Sequence, residues 1–368
     1  MSTRQKKTKV GLIGCGNISG AYLKAAKTFE FMEIVKCADQ NADAANAKAE
    51  EFGMKVVSVD ELLADTEIQI ILNLTTPASH TEINIRALQA GKHVHCEKPF
   101  ALNREDGKKV LDLAENKKLL VGCAPDTFLG AGIQTCRKII DDGWIGRPVA
   151  GTAFMMCPGH ESWHPNVGFY YLPGGGPMLD MGPYYLTALV NLLGPVKRVC
   201  GSSSRAFKER IATSKELYGQ HFPVKIDTHI TGVMDFECGA SVSVTMSFDV
   251  KAHKHTNIEI YGTQGTLQVP DPNTFGGPVN LYRPESGWKE MPLSHIYSEN
   301  MRSIGVADMA KAVDKNRENR CSGKLAYHVL DVMLAFVESS ELNKHIQIKS
   351  SCDKPKAMPI GLIKGEID

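Results

Sequence analysis

The sequence predicts an α/β fold, with an N-terminal doubly wound parallel sheet followed by an α+β domain that has a large, mostly antiparallel sheet. The first third of the chain alternates short apolar strand patterns with helical patterns, as parallel strands joined by crossover helices do. Beyond residue 125, long runs of alternating apolar and polar residues are typical of antiparallel strands. The chain's 368 residues are also too many for one ordinary core. We therefore expect two domains, residues 1–125 and 126–368.

The elements of the first domain follow from apolar periodicity. The predicted strands are Lys9–Ile13, Glu33–Ala38, Val56–Ser58, Ile68–Leu74, His93–Cys96 and Leu119–Gly122. The predicted helices are Ser19–Lys27, Asp43–Phe52, His80–Ala90 and Glu105–Lys117. Gly53 and Gly91 directly follow two of these helices, at the position where a left-handed residue commonly ends a helix.

The second domain combines helices, an irregular loop and long strands. The predicted helices are Ile133–Asp141, Met178–Leu193, Met301–Asn316 and Lys324–Leu342, of which the last two form a closing segment, residues 301–343. Residues 157–176 have the composition of an irregular loop rich in glycine, proline and aromatic residues. The predicted strands are His229–Glu237, Ala240–Phe248 and Asn257–Val269, with a hairpin turn at residues 237–239.

We expect one face of the second sheet to pack on helices and the other to be exposed. Val242, Val244 and Met246 alternate along one strand, so their side chains share a face. On the exposed face they would form the surface of a homodimer or homotetramer, whereas on the covered face they would pack against the closing helices. We predict a homo-oligomer that assembles through this sheet.

Composition excludes several classes of function. The formal net charge is +1, and basic residues cluster only at Arg4–Lys9, so no nucleic-acid partner is expected. No stretch approaches the roughly 20 apolar residues of a membrane span, and the apolar run Val10–Ile13 is too short for a signal peptide. The ten cysteines are spaced singly, as reduced thiols of a cytoplasmic protein are. His93 and His95 share one side of a strand, but nothing else in the sequence completes a metal site, and none is predicted.

The stretch VGLIGCGNIS places Gly14 and Gly16 between the first strand and the first helix. Glycines there let the backbone approach a pyrophosphate, and the helix N-terminus supplies N–H groups to it. Ser19 takes the place of the usual third glycine and is still small. Asp39 ends the second strand, where an acid binds a ribose 2′-hydroxyl. The sequence therefore predicts a dinucleotide-binding Rossmann domain, and a tight turn in a sheet that binds nothing is the alternative.

Asp39 also predicts which dinucleotide binds. Its carboxylate would repel a 2′-phosphate, and the following Gln40 and Asn41 offer no arginine to attract one, so NAD is favoured over NADP. The predicted cofactor-binding residues are Gly14, Gly16, Asn17, Ile18, Asp39, Thr75, Thr76, Pro77, His80, Glu97 and Lys98.

Two later strands end in polar residues at the edge where ligands bind a doubly wound sheet. The first strand ends in Thr75-Thr76-Pro77, and a helix opens near Ser79, whose side chain could simply cap it. The other strand ends in Glu97-Lys98-Pro99. Lys98 is a candidate acid or base aimed at the cofactor crevice, and a surface lysine beside a turn is the alternative.

The stretch GGGPMLDMGPYYL, residues 174–186, puts a glycine loop directly before a helix that carries Asp180 and Tyr184. A substrate site and a well-capped core helix both account for this pattern. The preceding HESWHPNVGFYY contributes Trp163 and His164, with Tyr170 and Tyr171, as an aromatic wall or as a packing segment.

Taken together, these motifs resemble the Gfo/Idh/MocA (glucose–fructose oxidoreductase/inositol dehydrogenase) family over nearly the whole chain. The resemblance rests on Gly14-Cys15-Gly16-Asn17-Ile18, Thr75-Thr76-Pro77 with His80, Glu97-Lys98-Pro99 and residues 174–184, in that order. It implies NAD(P)-dependent oxidation or reduction of a hydroxyl on a sugar, cyclitol or glycoside. It also implies that Lys98 binds the reacting hydroxyl with Asp180 beside it. The predicted substrate-binding residues are Lys98, Asp126, Trp163, His164, Asp180 and Tyr184.

The chain departs from the family where the pattern Asp-x-Gly-x-His supplies a proton acceptor, because Tyr184 takes the histidine's position. A phenol with a pKa near 10 is a poorer base at neutral pH than an imidazole with a pKa near 6.5. Lowering of the Tyr184 pKa by Lys98 and the nicotinamide ring would make the phenol competent. A neutral Lys98 amine and His164 are the other candidates, so the predicted catalytic residues are Lys98, Asp180, Tyr184 and His164.

The sequence thus predicts an NAD-dependent dehydrogenase that oxidises a secondary ring hydroxyl of a sugar or glycoside, with C3 as the predicted position. The alternatives are a reductase of keto or anhydro sugars that uses NAD(P)H, a glycosidase that works through transient oxidation, and a non-catalytic regulator that senses a nucleotide or a sugar.

Overall fold

The computed structural model describes residues 7–368 and contains a six-stranded parallel sheet in the order β3-β2-β1-β4-β5-β6. Its strands are β1 Thr8–Ile13, β2 Met32–Ala38, β3 Lys55–Val56, β4 Ile70–Asn73, β5 His93–Cys96 and β6 Val121–Cys123. Its helices are α1 Ser19–Ala26, α2 Ala42–Phe52, α3 Val59–Ala64, α4 Pro77–Gln89 and α5 Arg104–Lys117. The predicted doubly wound sheet is confirmed. Of the basic cluster, residues 4–6 lie outside the described part of the chain.

Two local predictions in this sheet are wrong. The predicted strand 56–58 is misplaced, because β3 ends at Val56 and Ser58 caps α3, a helix that the apolar pattern did not indicate. The Ser58 hydroxyl accepts from the Glu61 N–H while the Glu61 carboxylate accepts from the Ser58 N–H, and these reciprocal bonds stabilise the helix start. Helix α4 begins at Pro77, three residues before its predicted start, with Thr76 and not Ser79 at the N-cap.

The second sheet has nine strands in the order β16-β15-β14-β13-β7-β12-β11-β8-β17. The strands of this half are β7 Pro148–Met156, β8 Val196–Ser204, β9 Glu209–Ile211, β10 His221–Pro223, β11 His229–Phe236, β12 Ser241–Ser247, β13 Ile258–Gly262, β14 Thr266–Val269, β15 Val279–Arg283, β16 Gly287–Met291 and β17 Ile346–Gln347. Strands β9 and β10 form a separate hairpin. Strand β7 pairs with β12 in parallel and with β13 antiparallel. The mostly antiparallel sheet is confirmed. The run 257–269 is two strands, because it turns back on itself between β13 and β14.

The helices of the second half are α6 Ala131–Asp141, α7 Pro177–Leu193, α8 Ile304–Lys315 and α9 Gly323–Leu342. Helix α7 lies between the second sheet and α9 and is buried over most of its length. The closing helices also reach the first sheet, since the Cys123 N–H donates to the Cys321 carbonyl at 3.0 Å and the Ser303 hydroxyl donates to the Tyr22 carbonyl at 2.9 Å. No helix within residues 7–368 is long and apolar enough to cross a membrane.

Of the two sheet faces left open for three apolar residues of β12, the structure shows the covered one. Val242, Val244 and Met246 are each buried, and they belong to the core beneath α7. Their strand turns Ser243 outward instead. The alternating pattern along β12 predicts that the three side chains share a face. Burying that apolar face stabilises the fold, so it is the covered one. The predicted homo-oligomer stays a prediction that these residues do not support.

Candidate active site

The candidate site lies where the carboxyl ends of β1, β4 and β5 meet the start of α7. The loops after β1 and β4 are in direct contact at Gly14. This glycine has φ of +99°, and a Cβ there would stand 2.5 Å from the carbonyl oxygen of Leu74. Only glycine fits such a position without displacing the neighbouring backbone. The two strand ends are therefore held close together and form one edge of a crevice.

Gly16 is different, since a Cβ on it would meet no protein atom within 4 Å. Packing inside the chain does not require glycine there, and the open space is what a backbone that approaches a pyrophosphate needs. Asp39, at the end of β2, accepts from the Cys15 N–H at 2.6 Å and from the Asn41 N–H at 2.8 Å. Asn17 and Ile18 lie exposed on the turn. These residues fit a bound dinucleotide, with Asp39 tied to the glycine loop.

His80 is fully buried in α4 and ties two strand-end loops together. Its Nδ1 lies 2.8 Å from the carbonyl oxygen of Pro99, and its Nε2 lies 2.9 Å from that of Thr75. Both partners can only accept, so a doubly protonated ring satisfies both contacts. Burial lowers the pKa of His80, but the Cys96 sulfur and the two carbonyls outweigh it and raise the pKa to about 9. His80 thus acts on the crevice by holding its loops in place.

Glu97 supports the lysine that follows it. One carboxylate oxygen accepts from the Tyr22 hydroxyl at 2.8 Å, and the other accepts from the Lys98 N–H at 2.8 Å. Sequence reasoning did not find Tyr22, because nothing local to α1 indicates a partner 75 residues away. Glu97 therefore fixes the backbone from which the Lys98 side chain enters the crevice.

Lys98 and Asp180 form an ion pair whose side chains are only 17% and 15% exposed. Lys98 Nζ donates to Asp180 Oδ1 and to the Asp180 carbonyl oxygen, both at 2.8 Å. Burial alone lowers the pKa of Lys98, but Asp180 above all, with Glu97, outweighs it and the net shift is upward. Lys98 is therefore an ammonium, and it has a third N–H beyond the two that Asp180 accepts. The predicted pairing of these two residues is present.

Tyr184 lies beside the ion pair, with Lys98 Nζ 5.3 Å from the centre of its ring. Burial raises its pKa, Lys98 and Arg302 lower it, and the net shift is upward. In this geometry the phenol is neutral at neutral pH and does not supply a ready base.

Asp126, which was predicted to bind substrate, follows β6 and is fully buried against the start of α8. Its Oδ2 accepts from the N–H groups of Ser303 and Gly305, at 3.0 and 3.1 Å. Burial raises its pKa and these two donors oppose the shift, with a net rise. The structure therefore gives Asp126 a capping role at α8.

The loop of residues 157–176 contributes a group that sequence reasoning missed. His160 Nε2 lies 3.5 Å from Asp180 Oδ2, and its ring packs against Trp163, Tyr170 and Phe248. No spacing rule links a loop histidine to a helix carboxylate twenty residues later, so the sequence carried no usable signal for this contact.

His164 and Trp163 sit farther out on the same loop. His164 Nδ1 accepts from the Asn166 N–H at 3.0 Å, so the proton of its neutral ring is on Nε2. Burial is the main cause of its lowered pKa. Trp163 is 60% exposed and lies edge-on to both His160 and His164. Trp163, His164 and Tyr170 thus pack around one another and His160, and their role as a wall against a sugar stays a prediction.

Arg210 holds this loop from β9. Its buried guanidinium donates to the Pro158 carbonyl at 2.9 Å, to Glu161 Oε1 at 2.6 Å and to the Phe248 carbonyl at 2.9 Å, and it also pairs with Asp249. The contacts to Pro158 and Glu161 flank His160 on both sides. The loop is thereby anchored at the point where it meets Asp180.

Among residues 7–368, no three His, Cys, Asp or Glu side chains are grouped so that they could hold a metal ion. His95 is instead fully buried in β5, where burial lowers its pKa to about 3.

Comparison with known proteins agrees with this geometry. Residues 8–124 match the model of the GFO_IDH_MocA oxidoreductase family with an NAD-binding Rossmann fold, and residues 133–268 match the GFO/IDH/MocA C-terminal domain. The chain is 26% identical over 352 residues to the 1,5-anhydro-D-fructose reductase of Ensifer adhaerens, covering 92% of this chain and 98% of that protein. It is 24% identical over 347 residues to the D-glucoside 3-dehydrogenase of Escherichia coli K12, covering 90% of each.

Solved structures share the fold. A levoglucosan dehydrogenase in complex with NADH superposes with a TM-score of 0.82 at 22% identity, covering 94% of this chain and all of that one. The two family matches span the nucleotide-binding half and most of the second sheet. The protein is therefore an NAD-binding oxidoreductase of the Gfo/Idh/MocA family.

Proposed function

We propose that the protein is an NAD-dependent dehydrogenase that oxidises a secondary ring hydroxyl of a sugar or glycoside. The observation that carries the proposal is the Lys98 ammonium, bound twice by Asp180 at the edge of the NAD crevice. Its remaining N–H is free to bind a substrate oxygen beside the cofactor. The relatives that are a D-glucoside 3-dehydrogenase and a 1,5-anhydro-D-fructose reductase support a sugar as the substrate.

NAD supplies the hydride acceptor, and the chain supplies positioning and charge. Lys98 holds the reacting oxygen and stabilises the negative charge that develops on it as the hydroxyl proton leaves. Asp180 keeps Lys98 charged and aimed at that oxygen. The Trp163 and Tyr170 rings offer apolar faces to the sugar carbons and keep water from the crevice.

We further propose C3 as the position oxidised, which would give a 3-keto sugar. The support is the relation to the D-glucoside 3-dehydrogenase. Substrate turned over with NAD would be analysed by carbon NMR of the product, where a carbonyl signal at C3 supports the position and one at any other ring carbon overturns it.

The test of the dehydrogenase activity uses the purified protein with NAD and a panel of glucosides, free sugars and anhydro sugars. Appearance of NADH with a glycoside supports oxidation. NADH consumption by keto or anhydro sugars alone favours the reductase direction, which the 1,5-anhydro-D-fructose reductase relative makes the second candidate. Failure of every substrate in both directions overturns the proposal and favours a regulator that binds the nucleotide without turnover.

A further inference from the structure

His160 has a buried ring nitrogen that the rest of the chain does not use. Its Nε2 makes no hydrogen bond to any described residue. Asp180 Oδ2 lies 3.5 Å from this nitrogen. The same carboxylate binds Lys98 through its other oxygen, Oδ1. Asp180 thus lies between the ammonium that would hold the substrate and an imidazole.

The imidazole is held in this place from several sides. Its ring centre lies 4.3 Å from that of Tyr170 and 4.6 Å from that of Phe248, both in edge-to-face geometry. Gly159, directly before it, has φ of +99°, and a Cβ there would lie 2.4 Å from the Tyr171 hydroxyl oxygen. The His160 side chain is 12% exposed while its Nε2 is buried, so the exposed part belongs to the other side of the ring.

We propose that His160 is the proton acceptor of the reaction, supplied by the 157–176 loop in place of a histidine at position 184. In this arrangement Asp180 Oδ2 accepts a hydrogen bond from the Nε2–H of the ring, which leaves the lone pair on Nδ1. A carboxylate sets the tautomer of a catalytic histidine in this way. The separation of 3.5 Å is longer than a good hydrogen bond, and catalytic contacts of this kind often shorten only when substrate is bound. This inference rests on the proposed dehydrogenase function and names the base within it.

The other candidates in the crevice are less suited to the role. Lys98 already carries its proton, because Asp180 accepts two of its N–H groups. Tyr184 is a neutral phenol that is nearly buried. The Nδ1 lone pair of His164 is occupied by the Asn166 N–H, which leaves only a donor on that ring.

The substrate O–H bond breaks and an Nδ1–H bond forms on His160, which becomes an imidazolium paired with the Asp180 carboxylate. The electron pair left on oxygen forms the C=O bond, and the ring carbon loses its hydrogen as hydride to NAD. Lys98 donates a hydrogen bond to that oxygen throughout. The imidazolium then releases its proton to solvent at its exposed side.

Charged and titratable groups from several elements surround His160 and bear on the pH dependence of kcat. They are Asp180 in α7, Lys98 just after β5, His164 and Tyr170 on the loop, and the cluster of Glu161, Arg210 and Asp249 behind it. Because a base must be unprotonated to act, kcat for oxidation should fall at acidic pH.

The first test replaces the ring nitrogens but keeps an aromatic ring. His160→Phe should lower kcat by about 100- to 10,000-fold with little change in KM, and should lose the acidic limb of the pH profile. His160→Ala should recover activity when imidazole is added. His345→Ala, which removes an exposed histidine on the far edge of the second sheet, is the matched control and should keep the wild-type profile with or without imidazole. A folded His160→Phe that retains the wild-type rate and acidic limb overturns the proposal.

The second test does not need turnover, so it separates failure of this inference from failure of the proposed function. Histidine ¹⁵N NMR of the intact protein should show His160 as the Nε2–H tautomer, and Asp180→Ala should abolish that preference. An Nδ1–H tautomer in the wild type overturns the role of His160 whatever the activity. If the tautomer is as expected but no sugar reacts with NAD or NADH, the dehydrogenase function itself has failed, and the assignment of His160 as its base falls with it.

Discussion

The ammonium of Lys98 binds Asp180 at two atoms, carboxylate Oδ1 and the backbone carbonyl oxygen, each at 2.8 Å. The two residues are 82 positions apart, so this pair joins the NAD-binding sheet to α7. Burial raises the pKa of Asp180, but Lys98 and His160 more than offset it and lower the pKa to about 2. Both partners are therefore charged at neutral pH, and the crevice presents a fixed cation to an incoming hydroxyl.

Replacing Lys98 by Met tests this pair. The variant keeps most of the side chain's length and removes the ammonium, so we expect kcat to fall by about 100- to 10,000-fold. Asp180 then lies buried without its main counter-charge, and its pKa should rise. The measurement is steady-state oxidation of whichever glycoside the wild type accepts. Near-normal turnover by Lys98→Met would contradict the mechanism.

Tyr184→Phe addresses the position at which the chain departs from its family. Because the pKa of Tyr184 is raised by burial, we expect the phenol to contribute hydrogen bonding but not proton removal. The variant should lower kcat by less than about tenfold and should keep the acidic limb of the pH profile. Loss of that limb in Tyr184→Phe, with His160 intact, would assign the base to the phenol instead.

The parts of the fold that the sequence predicted are those set by local patterns. Apolar periodicity and glycine positions located the strands of the first sheet and the ends at which Gly14 and Lys98 stand. Alternation along β12 showed that Val242 and Val244 share a face, but it does not say which face is covered. That choice depends on where α7 packs, which is a property of the whole chain.

The parts of the site that could not be predicted depend on contacts between distant segments. His160 meets Asp180 from a loop that Arg210, in a separate hairpin, anchors. Position at a strand end also does not determine the direction of a side chain. His80 therefore points to two backbone carbonyls, and Asp126 points to the start of α8.

The raised pKa of His80 should make the stability of the fold depend on pH. Its pKa is raised to about 9 in the folded chain, from about 6.5 when unfolded. A raised pKa stabilises the fold fully below about pH 6.5, and this contribution is lost as pH rises through 9. It corresponds to about 3 kcal/mol. Urea unfolding of wild type and His80→Gln at several pH values should therefore show their difference in unfolding free energy shrinking over that interval.

The control for His80 is His345→Gln, which removes an exposed histidine and should keep the wild-type slope of stability against pH. Parallel slopes for the wild type and His80→Gln would contradict a doubly protonated His80. The neutral ring would then donate to only one of the two carbonyls.

Replacing Arg210 should weaken both the stability of the fold and substrate binding. Arg210→Met removes a buried cation and leaves the carboxylates of Glu161 and Asp249, which are 12% and 10% exposed, without their partner. Breaking a buried pair in this way should lower the unfolding free energy by about 3 to 5 kcal/mol. Because the same guanidinium anchors the loop that carries Trp163 and Tyr170, KM for the sugar should also rise. Arg210→Lys restores the charge but cannot reach all the acceptors of the planar guanidinium. Its unfolding free energy should therefore lie between those of Arg210→Met and the wild type. Equal stability of Arg210→Met and the wild type would show that the loop is held by its aromatic contacts alone.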